Sequence, residues 1–145
     1  MSDWKTPLRL VEQLDKKGNI HEKGVKKLVS AVAEASELGD KLGCAEFIAF
    51  ATSAVRSAPN SEAVLDEVEK QTGVRLQILS GVEEAQLTFL AARRWYGWSA
   101  GRITNLDIGG GSLELSTGTD EHPDLAFSLD LGACLLYTSD AADDS

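Results

Sequence analysis

Asp107, the triglycine Gly109-Gly110-Gly111, Ser112 and Glu114 stand in one short stretch, flanked by an apolar run (Ile103, Leu106, Ile108) and a second, alternating run. Glycine admits positive φ and puts no Cβ in the path of a ligand. Successive backbone N–H groups in such a bend form a concavity for an anion. The flanking carboxylates would repel a bare phosphate, so the pattern asks for a bridging divalent cation, Mg2+ or another. Asp107 and Glu114 are the candidate ligands, directly or through water, since Mg2+ usually keeps several waters and takes few carboxylates. Gly109, Gly110, Gly111 and Ser112 are the candidate phosphate cradle. The plain alternative is a glycine-rich hairpin turn with two solvated carboxylates, although three glycines exceed what a tight turn needs. No Lys follows the glycines, and they do not form the G-x-G-x-x-G opening of a helix. Leu113 to Thr117 alternate with period two, so the spacing predicts the tip of a β-hairpin.

A second constellation is Glu83-Glu84. Ser80-Gly81-Val82-Glu83 is a capping-box pattern, which gives Glu83 a structural task. Successive helical residues point about 100° apart, so Glu84 faces elsewhere and is the candidate to look into a cleft. The alternative is a solvated first-turn carboxylate favoured by the helix dipole. Arg56 follows an apolar strand and is a candidate for the ligand-binding end of a parallel sheet, or else a surface cation before Pro59. His21 and His122 lie in polar, turn-like contexts and are set aside. Cys44 reads as a small core residue, and Trp95, Tyr96 and Trp98 as packing residues between domains rather than base-stacking ones. The pairs Lys16-Lys17 and Lys26-Lys27 read as solvated positions.

The elements that must position these residues follow from periodicity. Leu28, Val29, Val32, Ala35 and Leu42 recur at helical spacing, predicting an amphipathic helix over roughly 22–42. The run 46–51 predicts a buried strand of a largely parallel sheet. Asn60 or Ser61 can cap a second helix, with Ala63, Val64, Leu65 and Val68 inward and Gly73 at its end. A strand over 75–79 and a helix from Gly81 to about Tyr96 come next. Gly97–Gly101 reads as a hinge, followed by strands near 102–108, 112–118 and 124–131, the last two joined by a turn at 118–123. Alternating strands and helices mean an α/β domain.

The stretch Asp107-Ile108-Gly109-Gly110-Gly111-Ser112-x-Glu114 resembles the second phosphate loop of the Ppx/GppA (exopolyphosphatase/guanosine pentaphosphate phosphohydrolase) phosphatase family. Ala51-Thr52-Ser53-Ala54-Val55-Arg56 and Leu79-Ser80-Gly81-Val82-Glu83-Glu84-Ala85 resemble two further blocks of it. The three stand in the family's order, and the likeness runs from about Leu8 to Ala133. The block Arg93-Arg94-Trp95-Tyr96-Gly97-Trp98 resembles actinobacterial members. This resemblance implies an α/β fold of the actin/sugar-kinase/Hsp70 ATPase-like (ribonuclease H-like) two-domain architecture, present only in part. It also implies Glu84 as the base, Arg56 as a catalytic phosphate contact, and Mg2+. The implied reaction is release of terminal phosphate from inorganic polyphosphate. Hydrolysis of guanosine pentaphosphate is the near alternative, and a non-catalytic phosphate binder or sensor is the alternative of another class. A kinase or ATPase of the superfamily fits the Glu-Glu block less well. The implied partner is polyphosphate or a (p)ppGpp-type small anion, with a homodimer the assembly considered for the full-length form.

Family members begin with a strand and a first phosphate loop, Asp-x-Gly-Ser-Asn, and nothing before Leu8 resembles it. The expected organisation is therefore 1–98, a first α/β domain lacking its opening hairpin and first loop, then 99–133, the start of a second domain. Residues 134–145 depart abruptly from the family pattern and resemble a translated sequencing-adaptor scar, a genuine acidic tail being the alternative. Such a chain is expected to have negligible activity alone. The mean hydropathy of −0.14 and the lack of a bilayer-length apolar run argue against a membrane, and the net charge of −9 against nucleic acid. Leaving out the tail removes Cys134, and the remaining Cys44 forms no intrachain disulfide, which suits a cytoplasmic location.

Overall fold

The structure is a computed structural model and describes residues 3–133. The tail read from the sequence at 134–145 lies outside the described residues. These divide between Ile78 and Leu79 into two compact units.

In the first unit, α1 (Glu22–Lys41) and α3 (Ser61–Thr72) pack on each other. Leu28 and Val32 of α1 and Val64, Leu65 and Val68 of α3 share one core with Leu10, Ile20, Val55 and Leu76. The apolar stripe of each helix supplies these contacts, as periodicity predicts. Leu42 and Ala63, also read as inward positions, are exposed at the C-cap of α1 and in the first turn of α3. Gly73 ends α3 in the left-handed conformation, φ 72°, which an L side chain adopts only with strain. Asn60 is the N-cap residue, but its side chain does not cap the helix. Instead its amide brackets the Ile20 backbone, accepting from N–H at 2.9 Å and donating to C=O at 3.0 Å. A long-range pair of bonds has displaced a local one.

The strand expected over 46–51 shrinks to β1 (Phe50–Ala51), paired in parallel with β2 (Gln77–Ile78). The parallel pairing agrees with the expectation; burial does not. Phe47, Ile48 and Phe50 are exposed, because among the described residues the strand has a neighbour on one side only. A four-residue helix, α2 (Ser53–Arg56), follows β1, so Arg56 ends a helical turn rather than a strand. Cys44 is exposed and not a core residue.

In the second unit, α4 (Gly81–Tyr96) covers one face of an antiparallel sheet of β3 (Ile103–Ile108), β4 (Leu113–Gly118) and β5 (Leu125–Leu129), in that order. The hairpin and turn expectations are met: 109–112 joins β3 to β4, and Asp124 N–H closes the next turn on Thr117 C=O at 2.8 Å. Ala85, Phe89 and Arg93 form the inward stripe of α4. Trp95, Tyr96 and Trp98 are exposed at its C-terminal end. The sheet face under α4 is the polar one: Ser112, Glu114 and Ser116 are buried, while Leu106, Ile108, Leu125 and Leu129 stand exposed on the other face.

Both bonds of the expected capping box are present. Ser80 Oγ accepts from Glu83 N–H at 3.2 Å, and Ser80 N–H donates to Glu83 Oε2 at 2.8 Å. The hydrogen bonds from Ser80 hold the Glu83 carboxyl below its ordinary value. A depressed carboxylate pKa adds stability above the ordinary value that is lost as pH falls through the folded value. Loss of the capping hydroxyl should make Ser80→Ala less stable than wild type at neutral pH, read as a fall in urea midpoint. The wild-type advantage should narrow on acidification through the carboxylate range.

Candidate functional site

The site in the second unit is assembled from the register of α4 on the sheet. Arg93, near the helix C-terminus and fully buried, donates to Gly101 C=O at 2.7 Å and Gly118 C=O at 2.8 Å, which lie at one end of the sheet. Further back along α4, Thr88 Oγ1 accepts from Asn105 Nδ2 at 3.2 Å and donates to Glu84 C=O at 3.0 Å. Glu84 lies one turn before Thr88, and Asp107 lies two residues beyond Asn105 on the same face of β3. One helical turn rises about 5.4 Å, and two strand residues rise about 6.6 Å. The first turn of α4, with Glu84, and the glycine loop therefore occupy the same end of the sheet. Glu84 is half-buried, whereas Glu83 is exposed and engaged with the cap.

The loop is held by its own backbone. Gly109 N–H donates to Ser112 C=O at 2.9 Å, and Gly109 C=O accepts from Ala133 N–H at 2.9 Å. Ser112 is 1% exposed. The glycines with positive φ are Gly18, Gly43, Gly73, Gly97 and Gly101, so Gly109, Gly110 and Gly111 do not use that freedom. A Cβ at Gly109 would stand 3.3 Å from the Ser112 carbonyl oxygen, so close approach is what glycine supplies there.

Asp107 and Glu114 are direct cross-strand partners. Their side chains share the α4 face, Asp107 half-buried and Glu114 1% exposed. Ser128, opposite Glu114 on β5, donates from Oγ to Glu114 Oε1 at 2.8 Å. Like charges placed opposite each other across a sheet destabilise it, and among the described residues no ion pair involves either carboxylate. A divalent cation fits that donor set. Among the described residues no three His, Cys, Asp or Glu side chains converge, so a Mg2+ would draw at most these two carboxylates from here. Water and phosphate oxygens would complete its shell, a common arrangement for this ion.

Arg56 lies in the first unit, half-buried at the end of α2. Within the second unit Asp107, Glu114 and the loop 109–112 adjoin, and the turn bearing Glu84 lies at the same end of the sheet. Sequence reasoning overlooked Ser128, Asn105 and Thr88, which touch Glu114 or fasten the turn bearing Glu84 to the sheet. Ser128 could have been found by counting back through the 118–123 turn to set the β4–β5 register. The Thr88–Asn105 bond had no such signal, because it depends on which sheet face the helix covers.

The sequence model of the Ppx/GppA phosphatase family matches residues 1–145. Exopolyphosphatase 1 of Mycobacterium leprae is 61% identical over 133 residues, 92% of this chain and 39% of its own length. Exopolyphosphatase 1 of Mycobacterium tuberculosis is 60% identical over the same shares. The chain thus spans well under half the length of these curated relatives. Among solved structures, an exopolyphosphatase from Cytophaga hutchinsonii superposes with TM-score 0.86 at 24% identity, over 95% of this chain and 45% of that one. The Aquifex aeolicus Ppx/GppA family member superposes with TM-score 0.76 at 24% identity, over 91% and 43%. These likenesses show the α/β fold of the family in the part of it that this chain spans. Among the described residues no helix is long and apolar enough to cross a membrane.

Proposed function

The chain belongs to the Ppx/GppA phosphatase family, and from that premise we propose that it carries part of the active site of a phosphoanhydride hydrolase that releases terminal phosphate from inorganic polyphosphate. The mycobacterial relatives named exopolyphosphatase 1 favour that substrate over guanosine pentaphosphate. The observation that carries the reading is the end of the sheet shared by the first turn of α4 and the glycine loop, with Asp107 opposite Glu114 beside the loop. The loop amides and Ser112 bind and orient the phosphate, and Arg56 keeps the role that the family resemblance implies for it, a phosphate contact. Glu84 takes a proton from water as the water oxygen attacks the terminal phosphorus. The bond from that phosphorus to the bridging oxygen breaks, and the shortened chain leaves with the electron pair. Asp107 and Glu114 would hold Mg2+, which supplies charge neutralisation of the phosphate oxygens. Positioning and electrostatics of this kind account for most phosphoryl-transfer catalysis.

The two-domain, actin-like architecture, with 1–98 and 99–133 as parts of its first and second domains, is part of the same proposal, as is a cytoplasmic location; α4 then belongs in sequence to the first domain while packing on the sheet of the second. The test is phosphate release from polyphosphate and from guanosine pentaphosphate, side by side with and without EDTA, in a chain of the relatives' full length. Polyphosphate should be the better substrate and EDTA should abolish release. Asp107→Asn should raise the Mg2+ concentration needed for half-maximal rate roughly tenfold or more. Binding of either substrate without any phosphate release would favour a sensor instead.

A further inference from the structure

The segment just beyond β5 runs beneath the glycine loop. Gly132 is buried there, and a Cβ built on it would overlap the Gly110 carbonyl and the Gly111 nitrogen. All of the obstructing atoms are backbone, so no side chain can swing aside to make room. The next residue, Ala133, donates its N–H to Gly109 C=O at 2.9 Å, while Gly109 N–H is taken by Ser112 C=O. The loop's first residue is thus tied on both sides, and the Gly110–Gly111 peptide rests on a bare Cα. The loop glycines do not need left-handed φ. Their conformation is set instead from outside, by a backbone that can come this close only because it lacks a side chain.

We propose that Gly132 is a positioning residue for the glycine loop: its missing Cβ fixes where the Gly110–Gly111 peptide sits and hence where the loop amides point. Its functional meaning rests on the phosphate reading of the loop, but its geometry can be tested without phosphate. An alanine at 132 must push either the loop or the 131–133 segment away, breaking the Ala133–Gly109 bond and reorienting the amides. Displacing positioning groups by about 1 Å can cost orders of magnitude in rate.

The experiment uses amide NMR spectra and hydrogen exchange on this chain, on Gly132→Ala, and on Gly118→Ala as a control. A Cβ at Gly118 meets Pro123 Cα at 2.9 Å and Asp124 N at 3.0 Å, at the far end of the sheet. In Gly132→Ala the Gly109–Ser112 signals should move and the Ala133 amide, released from Gly109 C=O, should exchange roughly tenfold faster or more, while β3–β5 amides remain protected. In Gly118→Ala the loop signals should stay, even if that variant is the less stable one. Coincident loop signals and exchange rates in Gly132→Ala and wild type would overturn the inference. Should Gly132→Ala not fold, the unaltered chain decides: a nuclear Overhauser contact from Gly132 Hα to the Gly111 amide is expected, and its absence overturns the inference. Adding Mg2+ and tripolyphosphate then separates the two claims. Unmoved wild-type loop signals sink the phosphate reading alone, while binding should weaken roughly tenfold or more in Gly132→Ala and remain in Gly118→Ala.

Discussion

Glu84→Gln, placed in a chain of the relatives' full length, should lower phosphate release from polyphosphate about 10²- to 10⁴-fold, the usual contribution of a positioned general base. Glutamine keeps the size and much of the hydrogen bonding of glutamate but cannot accept a proton from water. Polyphosphate affinity should therefore stay within a few-fold of wild type, and the loss should fall on kcat rather than on KM. The neighbouring Glu83→Gln makes the contrast. Glu83 spends its carboxylate on Ser80 N–H, so that variant should lose some stability and little turnover. Wild-type turnover should also fall on acidification, since a protonated Glu84 cannot act as base. Equal loss from both variants, or none from Glu84→Gln, would remove Glu84 from the mechanism.

The largest expected effect on stability comes from Arg93. Its guanidinium is fully buried and donates to the carbonyls of Gly97, Gly101 and Gly118, with the Phe89 ring 5.7 Å away. Its Nε has no hydrogen-bond partner, so the residue already carries some desolvation cost that its three acceptors offset. Arg93→Met keeps most of the volume but leaves those acceptors without their donor. The bond to Gly118 C=O is the buried one, and a buried polar group left unsatisfied costs about 1–3 kcal/mol, so the second unit should lose about that much. Because Arg93 sets the register of α4 on the sheet, the loss should also loosen the turn that bears Glu84. Urea unfolding followed through Trp95 and Trp98 fluorescence reads the first effect, and hydrogen exchange at the Thr88 and Glu84 amides the second. A midpoint shift worth under about 0.5 kcal/mol would mean that Arg93 is a passive filler.

The three long helices were legible because each carries its own signals. The stripe of Leu28 and Val32 marks α1, Gly73 in the left-handed region stops α3, and Ser80 with Glu83 opens α4. The hairpin around Gly109–Ser112 was legible for the same reason, as a switch from alternation to glycine and back. What could not be read depends on partners distant in sequence. The apolar run 46–51 suggested burial, yet Phe47 and Ile48 are exposed, because burial needs a second neighbour that periodicity does not supply. Helix α2 is too short for any period to register. Alternation in β3 separates Asn105 and Asp107 from Leu106 and Ile108. It could not say that α4 would cover the polar side and leave Leu106 and Ile108 55% and 59% exposed. Ordinary amphipathic logic predicts the reverse. The candidate carboxylates and glycines were legible as a cluster; Gly132 was not, since it reaches the loop only through the chain beyond β5.

The central claim is that the Gly109–Ser112 backbone, with Asp107 and Glu114 beside it, takes up a metal-bound phosphate. Titrating this chain with tripolyphosphate in the presence of Mg2+, while following assigned amide NMR signals, tests it most directly. The account predicts saturable shifts confined to residues 107–114 and the first turn of α4, and much weaker ones when EDTA replaces the metal. Loop signals that stand still, with shifts at Lys26 and Lys27 instead, would contradict it.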